Sequence, residues 1–178
     1  MEKAIITIAR QYGSGGRTVG KMLAKRLDIP YYDREIITLA SEDSGVNATL
    51  FQDEKKKVDL RALLHGGYQG NQIVSPESAG FTRDDNLFNY QAKIIRRLAA
   101  QGPCVIIGRC ADHILRDVPG VARVFVHAPA DFCLREAMKV SSLPEREVVR
   151  LIAKTDDYRA RYYNCLLYTS PSPRDPKT

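Results

Sequence analysis

The stretch Ile5–Leu27, IITIARQYGSGGRTVGKMLAKRL, decides how the rest of the chain is read. A β-branched run leads into Gly13-Ser14-Gly15-Gly16, and an amphipathic helix is expected to follow with Val19, Met22, Leu23 and Leu27 on its apolar face. A buried strand, a glycine turn and a helix N-terminus together make an anion site. The N–H groups of the turn converge on one point, and the positive end of the helix dipole adds to them. Glycines suit such a turn because a Cβ would block a phosphate and because the backbone visits φ > 0. The bland alternative is a strand-to-helix turn with no ligand; the flanking Arg10, Arg17 and Thr18 favour phosphate.

The usual phosphate-loop signature is G-x-x-x-x-G-K-[ST]. The closest fit here is Arg10–Thr18, one residue longer than the signature: Arg10 falls on the first glycine, Gly16 on the lysine, and Arg17 comes one residue later, ahead of Thr18. The lysine that bridges the β- and γ-phosphates is therefore absent. Arg17 is the leading replacement and Arg10 the second, since a guanidinium grips two phosphate oxygens where lysine offers a point charge. A cation in the first turn of a helix is mildly unfavourable, so Arg17 itself points to an anionic partner.

A chain of 178 residues suits one domain with a sizeable core. The net charge of +6 suits a protein that handles polyanions, but the charges are dispersed, and the electrostatic case for nucleic acid is weak. Cys104, Cys110, Cys133 and Cys165 lack C-x-x-C spacing and paired histidines, which reads as reduced thiols rather than disulfides or zinc. His65, His113 and His127 are scattered, and none is taken as a metal ligand. With no signal peptide and no membrane-length apolar run, the chain reads as soluble and cytoplasmic. Oligomeric state is left open.

Beyond the opening unit, strands and helices alternate. Leu27–Tyr32 is a short apolar stretch ending at Asp33, followed by a helical pattern through Ile36, Ile37 and Leu39–Ala40. From Glu42 to about Asn86 the pattern weakens, the charged run Glu54–Lys57 reads as a solvated helix face, and the segment reads as an insertion. Leu87–Ala100 restores a helix, which Gly102-Pro103 stops. Cys104–Ile107 is a fully apolar strand, Ala111–Leu115 begins a helix, and Ala122–Ala128 is a further buried strand. Pro129 suits a first helical position with Leu134 and Met138 facing the core, and Ser142 and Pro144 open the last helix. Such alternation implies β-α-β crossovers and a mostly parallel sheet, with ligands at the carboxyl ends of its strands. Gly13–Gly16, Asp33, Gly108-Arg109 and Ala128-Pro129 all fall on that edge. The tail Cys165–Thr178, CLLYTSPSPRDPKT, drops the helical period. Either it is a disordered tail or, as we read it, it is foreign: it resembles translated adapter sequence at the end of a fragmentary reading frame.

The strings YYDREII, GPCVIIGRCADHIL, RVFVHAP and TDDYRARYYN, together with the glycine loop, resemble the cytidylate kinase-like family of P-loop nucleoside monophosphate kinases, over roughly residues 1–164. The resemblance implies a three-layer α/β/α fold with a parallel sheet in the order 2-3-1-4-5, an acceptor-binding insertion at about 44–86 and a basic lid at about 140–164. The fifth strand is expected to be missing, which would leave Arg123–His127 as an unprotected apolar edge prone to association. It further implies transfer of the ATP γ-phosphoryl group to a monophosphate, CMP or dCMP, with Mg²⁺ and nucleotides as cofactor and partners.

On that basis Arg10, Gly13, Ser14, Gly15, Gly16, Arg17 and Thr18 would bind the ATP phosphates, with Thr18 on Mg²⁺. Asp33, Arg34, Arg109 and Asp112 would meet the acceptor, although Asp33 could equally cap a helix and Asp112 could equally lie on a helix surface. Arg150, Lys154, Asp156, Arg159 and Arg161 would form the lid; Arg17, Arg109 and Arg159 are the catalytic candidates. Ile107 and Cys110 stand where the family motif D-G-R-D carries aspartates, which weakens metal binding and pyrimidine specificity. Two rival readings are a kinase for another small acceptor and a nucleotide-binding regulator without catalysis.

Overall fold

The computed structural model describes residues 4–49 and 84–168. Most of the expected insertion and the end of the tail lie outside them. In chain order the elements are β1 (Ile5–Arg10), α1 (Gly16–Leu27), β2 (Tyr31–Tyr32), α2 (Glu35–Ser44), α3 (Asp84–Gln101), β3 (Cys104–Ile107), α4 (Ala111–Ile114), β4 (Ala122–Val126), α5 (Ala130–Lys139) and α6 (Glu145–Tyr168). The four strands are parallel in the order β2-β3-β1-β4. This is the three-layer α/β/α architecture, as far as the fourth strand.

Period-two alternation builds both faces of the sheet. Ile5, Cys104 and Ile106 point into a core shared with Ile36, Ile37 and Ala40 of α2 and with Ile94 and Ile95 of α3. Ile6, Ile8, Val105 and Ile107 point the other way, against Ala24 of α1. Strand β3 lies between β2 and β1, and all four of its residues are at most 1 % exposed. A strand covered on both faces has to be apolar throughout, which is why CVII could be read without alternation.

Several expectations need correction. Helix α1 buries Gly16, Gly20 and Ala24, with Leu23 partly packed behind them, while Val19, Met22 and Leu27 are exposed. Gly20 sits so close to the sheet that a Cβ would lie 2.6 Å from Ile107 Cδ1. Small residues bring helix and sheet together here, so a search for large apolar residues picks the wrong face. Leu27 ends α1 instead of starting a strand, and β2 is only Tyr31–Tyr32. Strand β4 stops at Val126 and is an exposed edge, not a buried strand: Val124 is 40 % and Phe125 62 % exposed. Pro129 is the N-cap of α5, one residue before the helix, and the buried positions are Cys133 and Ala137, not Leu134 and Met138. Helix α6 begins at Glu145 and keeps its helical backbone through Cys165 to Tyr168, beyond the point where the sequence period is lost. Among the described residues no helix is long and apolar enough to cross a membrane.

His113, 8 % exposed on α4, sets a pH limit on this packing. Arg116 Nη1 lies 2.8 Å from its Nε2, and burial first, then Arg116, lower its pKa from the usual 6.5. The folded protein therefore keeps the ring neutral where the unfolded chain would already take up a proton. Stability should fall as the pH drops through 6.5, because the unfolded state then binds more protons. Thermal melts between pH 7.5 and 5 test this against His113→Gln, which should flatten the acid-side slope; an unchanged slope would assign it to other groups.

Candidate phosphate site

The carboxyl edge of the sheet gathers the glycine loop. Gly13 (φ 77°) and Gly15 (φ 82°) are both left-handed, and Gly15 is the N-cap of α1 with no side-chain cap hydrogen bond. The first N–H groups of α1 are thus left without a capping side chain, as an anion site requires. The loop is braced from two sides. Ser14 is buried and its Oγ donates to the Gln11 carbonyl at 2.9 Å. Gln11 N–H donates to Val126 O at 3.1 Å, and its Oε1 accepts from Ala128 N–H at 3.3 Å, which ties the loop to the β4–α5 corner. Gly13 abuts the Cys133 carbonyl so closely that no Cβ would fit. Gln11 and Cys133 were missed by sequence reasoning, because neither residue type signals a loop brace.

A second turn lies beside the first. Gly108, Arg109 and Cys110, directly after β3, have φ of 63°, 56° and 52°. Two consecutive non-glycine residues in the left-handed region cost about 1–2 kcal/mol each, and such strain gathers at functional sites. The turn is held by Gly108 N–H to Ile8 O (2.9 Å) and Ala111 N–H to Gly108 O (3.0 Å). Burial, with Asp112 behind it, pushes the Cys110 thiol up to about 12, so it stays protonated.

Arg17, Arg109 and Arg159 lie close enough to Arg10 to act on its charge, and the four are not equivalent. Arg17 is salt-bridged to Asp33 (Nε–Oδ2 2.7 Å), and its Nη2 lies 3.4 Å from Oδ1. Asp33 is 8 % exposed and does not cap α2: that N-cap is Arg34, while Glu35 Oε2 accepts from Asp33 N–H at 2.9 Å. The charge that the sequence assigned to an external anion is thus partly met by a protein carboxylate. Arg159 donates from Nη1 to Arg10 O (3.3 Å) and to Asp156 Oδ1 (3.2 Å), and lies 5.9 Å from the Tyr12 ring centroid. Asp156 also accepts from Tyr12 N–H at 2.8 Å. Asp156 and Arg159 therefore dock α6 onto the base of the loop, whereas Arg150, Lys154 and Arg161 are exposed, with Arg161 paired to Asp157 at 2.8 Å.

Asp112 is not a free helix-surface carboxylate: Tyr163 Oη donates to its Oδ2 at 2.8 Å, joining α4 to α6. Burial and that bond push the Tyr163 hydroxyl up to about 12. Arg34, the N-cap of α2, and Thr18, on α1, are exposed. Among the described residues no group of three His, Cys, Asp or Glu side chains could hold a metal ion.

A parallel sheet, a glycine loop opening its first helix, and arginines converging on the same edge define the P-loop class of α/β phosphate-binding domains. Within that class the model of the cytidylate kinase-like family matches residues 5–176, and the chain belongs to that family. Its function is accordingly of the nucleotide-kinase kind. Among solved structures, an uncharacterized protein from Eubacterium ventriosum is 26% identical with a TM-score of 0.62, over 91% of this chain and 76% of that one. A gluconokinase from Sinorhizobium meliloti is 18% identical with a TM-score of 0.42, over 94% of this chain and 98% of that one, too loose a likeness to bear on function. No curated protein matches the chain.

Proposed function

We propose that the protein transfers the γ-phosphoryl group of ATP to a nucleoside monophosphate, CMP or dCMP. The observation that carries this reading is the gathering of Arg10, Arg17, Arg109 and Arg159 beside the glycine loop, where Arg17 is paired to Asp33 and Arg159 to Asp156. Such an excess of positive charge calls for a polyanion. The choice of a pyrimidine acceptor rests on the family.

An oxygen of the acceptor phosphate attacks the γ-phosphorus, the bond to the β,γ-bridging oxygen breaks, and its electron pair leaves on ADP. Phosphoryl transfer of this kind needs alignment and charge neutralisation more than covalent help. The N–H groups of Gly13–Gly16 hold the donor phosphates. Arg109, presented by the strained turn after β3, pairs with the acceptor phosphate, and Asp112 supports that turn through Tyr163. Arg159 neutralises the transferring group, while Arg150, Lys154 and Arg161 on α6 supply the mobile charge of a lid. Thr18 would hold Mg²⁺, which neutralises β- and γ-oxygens when bound.

The test is Mg·ATP turnover against a panel of nucleoside monophosphates and other small phosphate acceptors. CMP or dCMP should give the highest kcat/KM. A preference for a non-nucleotide acceptor would replace the substrate, and tight ATP binding with no transfer to any acceptor would replace the enzyme by a nucleotide-binding regulator.

A further inference from the structure

Gly16, in the lysine position of the loop, offers no side chain, and the structure shows what occupies the space. A Cβ on Gly16 would lie 2.6 Å from Arg10 Cβ and 3.1 Å from its Cγ. The Arg10 side chain leaves β1 through the volume that a side chain at position 16 would enter. Its far end reaches the second turn, where a Cβ on Gly108 would lie 3.0 Å from Arg10 Cζ and collide with Nη1. Two glycines in separate elements therefore leave room for one guanidinium. Set against the loop signature, Arg10 stands at the first glycine and Gly16 at the lysine: small residue and cation have changed places.

We infer that Arg10 is the cation of this phosphate loop, reaching from the end of β1 to grip the triphosphate that a lysine at position 16 would reach from the start of α1. The inference rests on the phosphoryl-transfer reading above and selects the residue that makes it possible. Arg17, the replacement favoured by sequence, is committed to Asp33 at 2.7 Å. The Arg10 guanidinium has no acceptor among the described residues. Burial first, then Arg159 and Arg17, depress its pKa to about 10, against the opposing pull of Asp33. A cation held at that disadvantage, between the glycine loop and the Gly108–Cys110 turn, is suited to a phosphate that accepts both arms of its fork.

Exchanging the two residues tests this directly. Mg·ATP and inorganic pyrophosphate binding would be measured by calorimetry for Arg10→Gly, Gly16→Lys and the double variant, with thermal melts alongside. Arg10→Gly should weaken both ligands by about 10- to 100-fold, the value of a lost charge-assisted contact. Gly16→Lys alone should also lose affinity, since the new side chain runs into Arg10. The double variant, which restores the usual order of glycine and lysine, should recover to within a few-fold of the unaltered protein. Arg10→Gln keeps most of the side-chain volume and should lose affinity without lowering the melt, which separates loss of charge from loss of fold. Arg17→Ala should cost less than Arg10→Gln. Unchanged binding in Arg10→Gln, or a double variant no better than Arg10→Gly, would overturn the inference. Pyrophosphate binding that depends on Arg10 with no nucleotide turnover would uphold it while removing the kinase reading; an unaltered protein that binds neither ligand would overturn both.

Discussion

Replacing Arg159 by alanine is expected to lower phosphoryl-transfer turnover by about 10³-fold or more, the range seen when an arginine that neutralises the transferring group is lost. Its Nη1 lies 3.3 Å from the Arg10 carbonyl, so the guanidinium stands at the base of the glycine loop. Asp156 and the Tyr12 ring fix its orientation. The pair with Asp156 is itself partly exposed and worth well under about 1 kcal/mol after solvent screening, so the fold should survive. Turnover and KM for ATP, measured together with a melt, separate the possibilities. A large fall in kcat with little change in melt or KM is the expected pattern. Turnover within tenfold of the unaltered enzyme would reduce Arg159 to a strap between α6 and the loop. Arg159→Lys should recover only part of the loss, because lysine keeps the charge but not the planar fork.

Gly13→Ala should be the most damaging single-methyl change in the loop. Gly13 has φ 77°, and an added Cβ would run into the backbone carbonyl of Cys133, which cannot swing aside as a flexible side chain would. The left-handed strain and the forced retreat of α5 together should cost about 2–4 kcal/mol, or a fall in Tm of about 5–15 °C for a domain of this size. Phosphate binding should be lost as well, since the N–H groups of the loop would no longer converge. Gly15→Ala is the control: φ is 82° but a Cβ there meets nothing within 4 Å, so only the conformational cost of about 1 kcal/mol remains. Equal melts for the two variants would mean that the Cys133 contact does not brace the loop.

The elements legible from sequence were those whose signal is local. CVII reads as a buried strand because both of its faces are covered, and the glycine loop reads as an anion site because Gly13–Gly16 lie between a β-branched run and a helix. Helix faces were legible only where large residues mark them. On α1 and α5 the buried positions are Gly16, Gly20, Ala24, Cys133 and Ala137, small residues whose role is close approach, so the apolar stripe of Val19, Met22 and Met138 misleads. The partners of the site residues were not legible at all. Nothing local tells that Arg17 meets Asp33, that Tyr163 meets Asp112 across 51 residues, or that Asp156 accepts from Tyr12 across 144.

The sequence by itself determined the class of protein: a parallel α/β domain with a glycine loop at Gly13–Gly16, in the cytidylate kinase-like family. These follow from spacing along one segment, where a turn, a helix start and a missing Cβ suffice. Which arginine is paired within the protein was decided only by tertiary structure. Arg10 and Arg17 are equally charged and flank the same glycines, but Arg17 finds Asp33 and Arg10 finds the gap left by Gly16 and Gly108. That distinction depends on where β2, β3 and α1 meet at the sheet edge, and so on contacts that no single stretch of sequence contains.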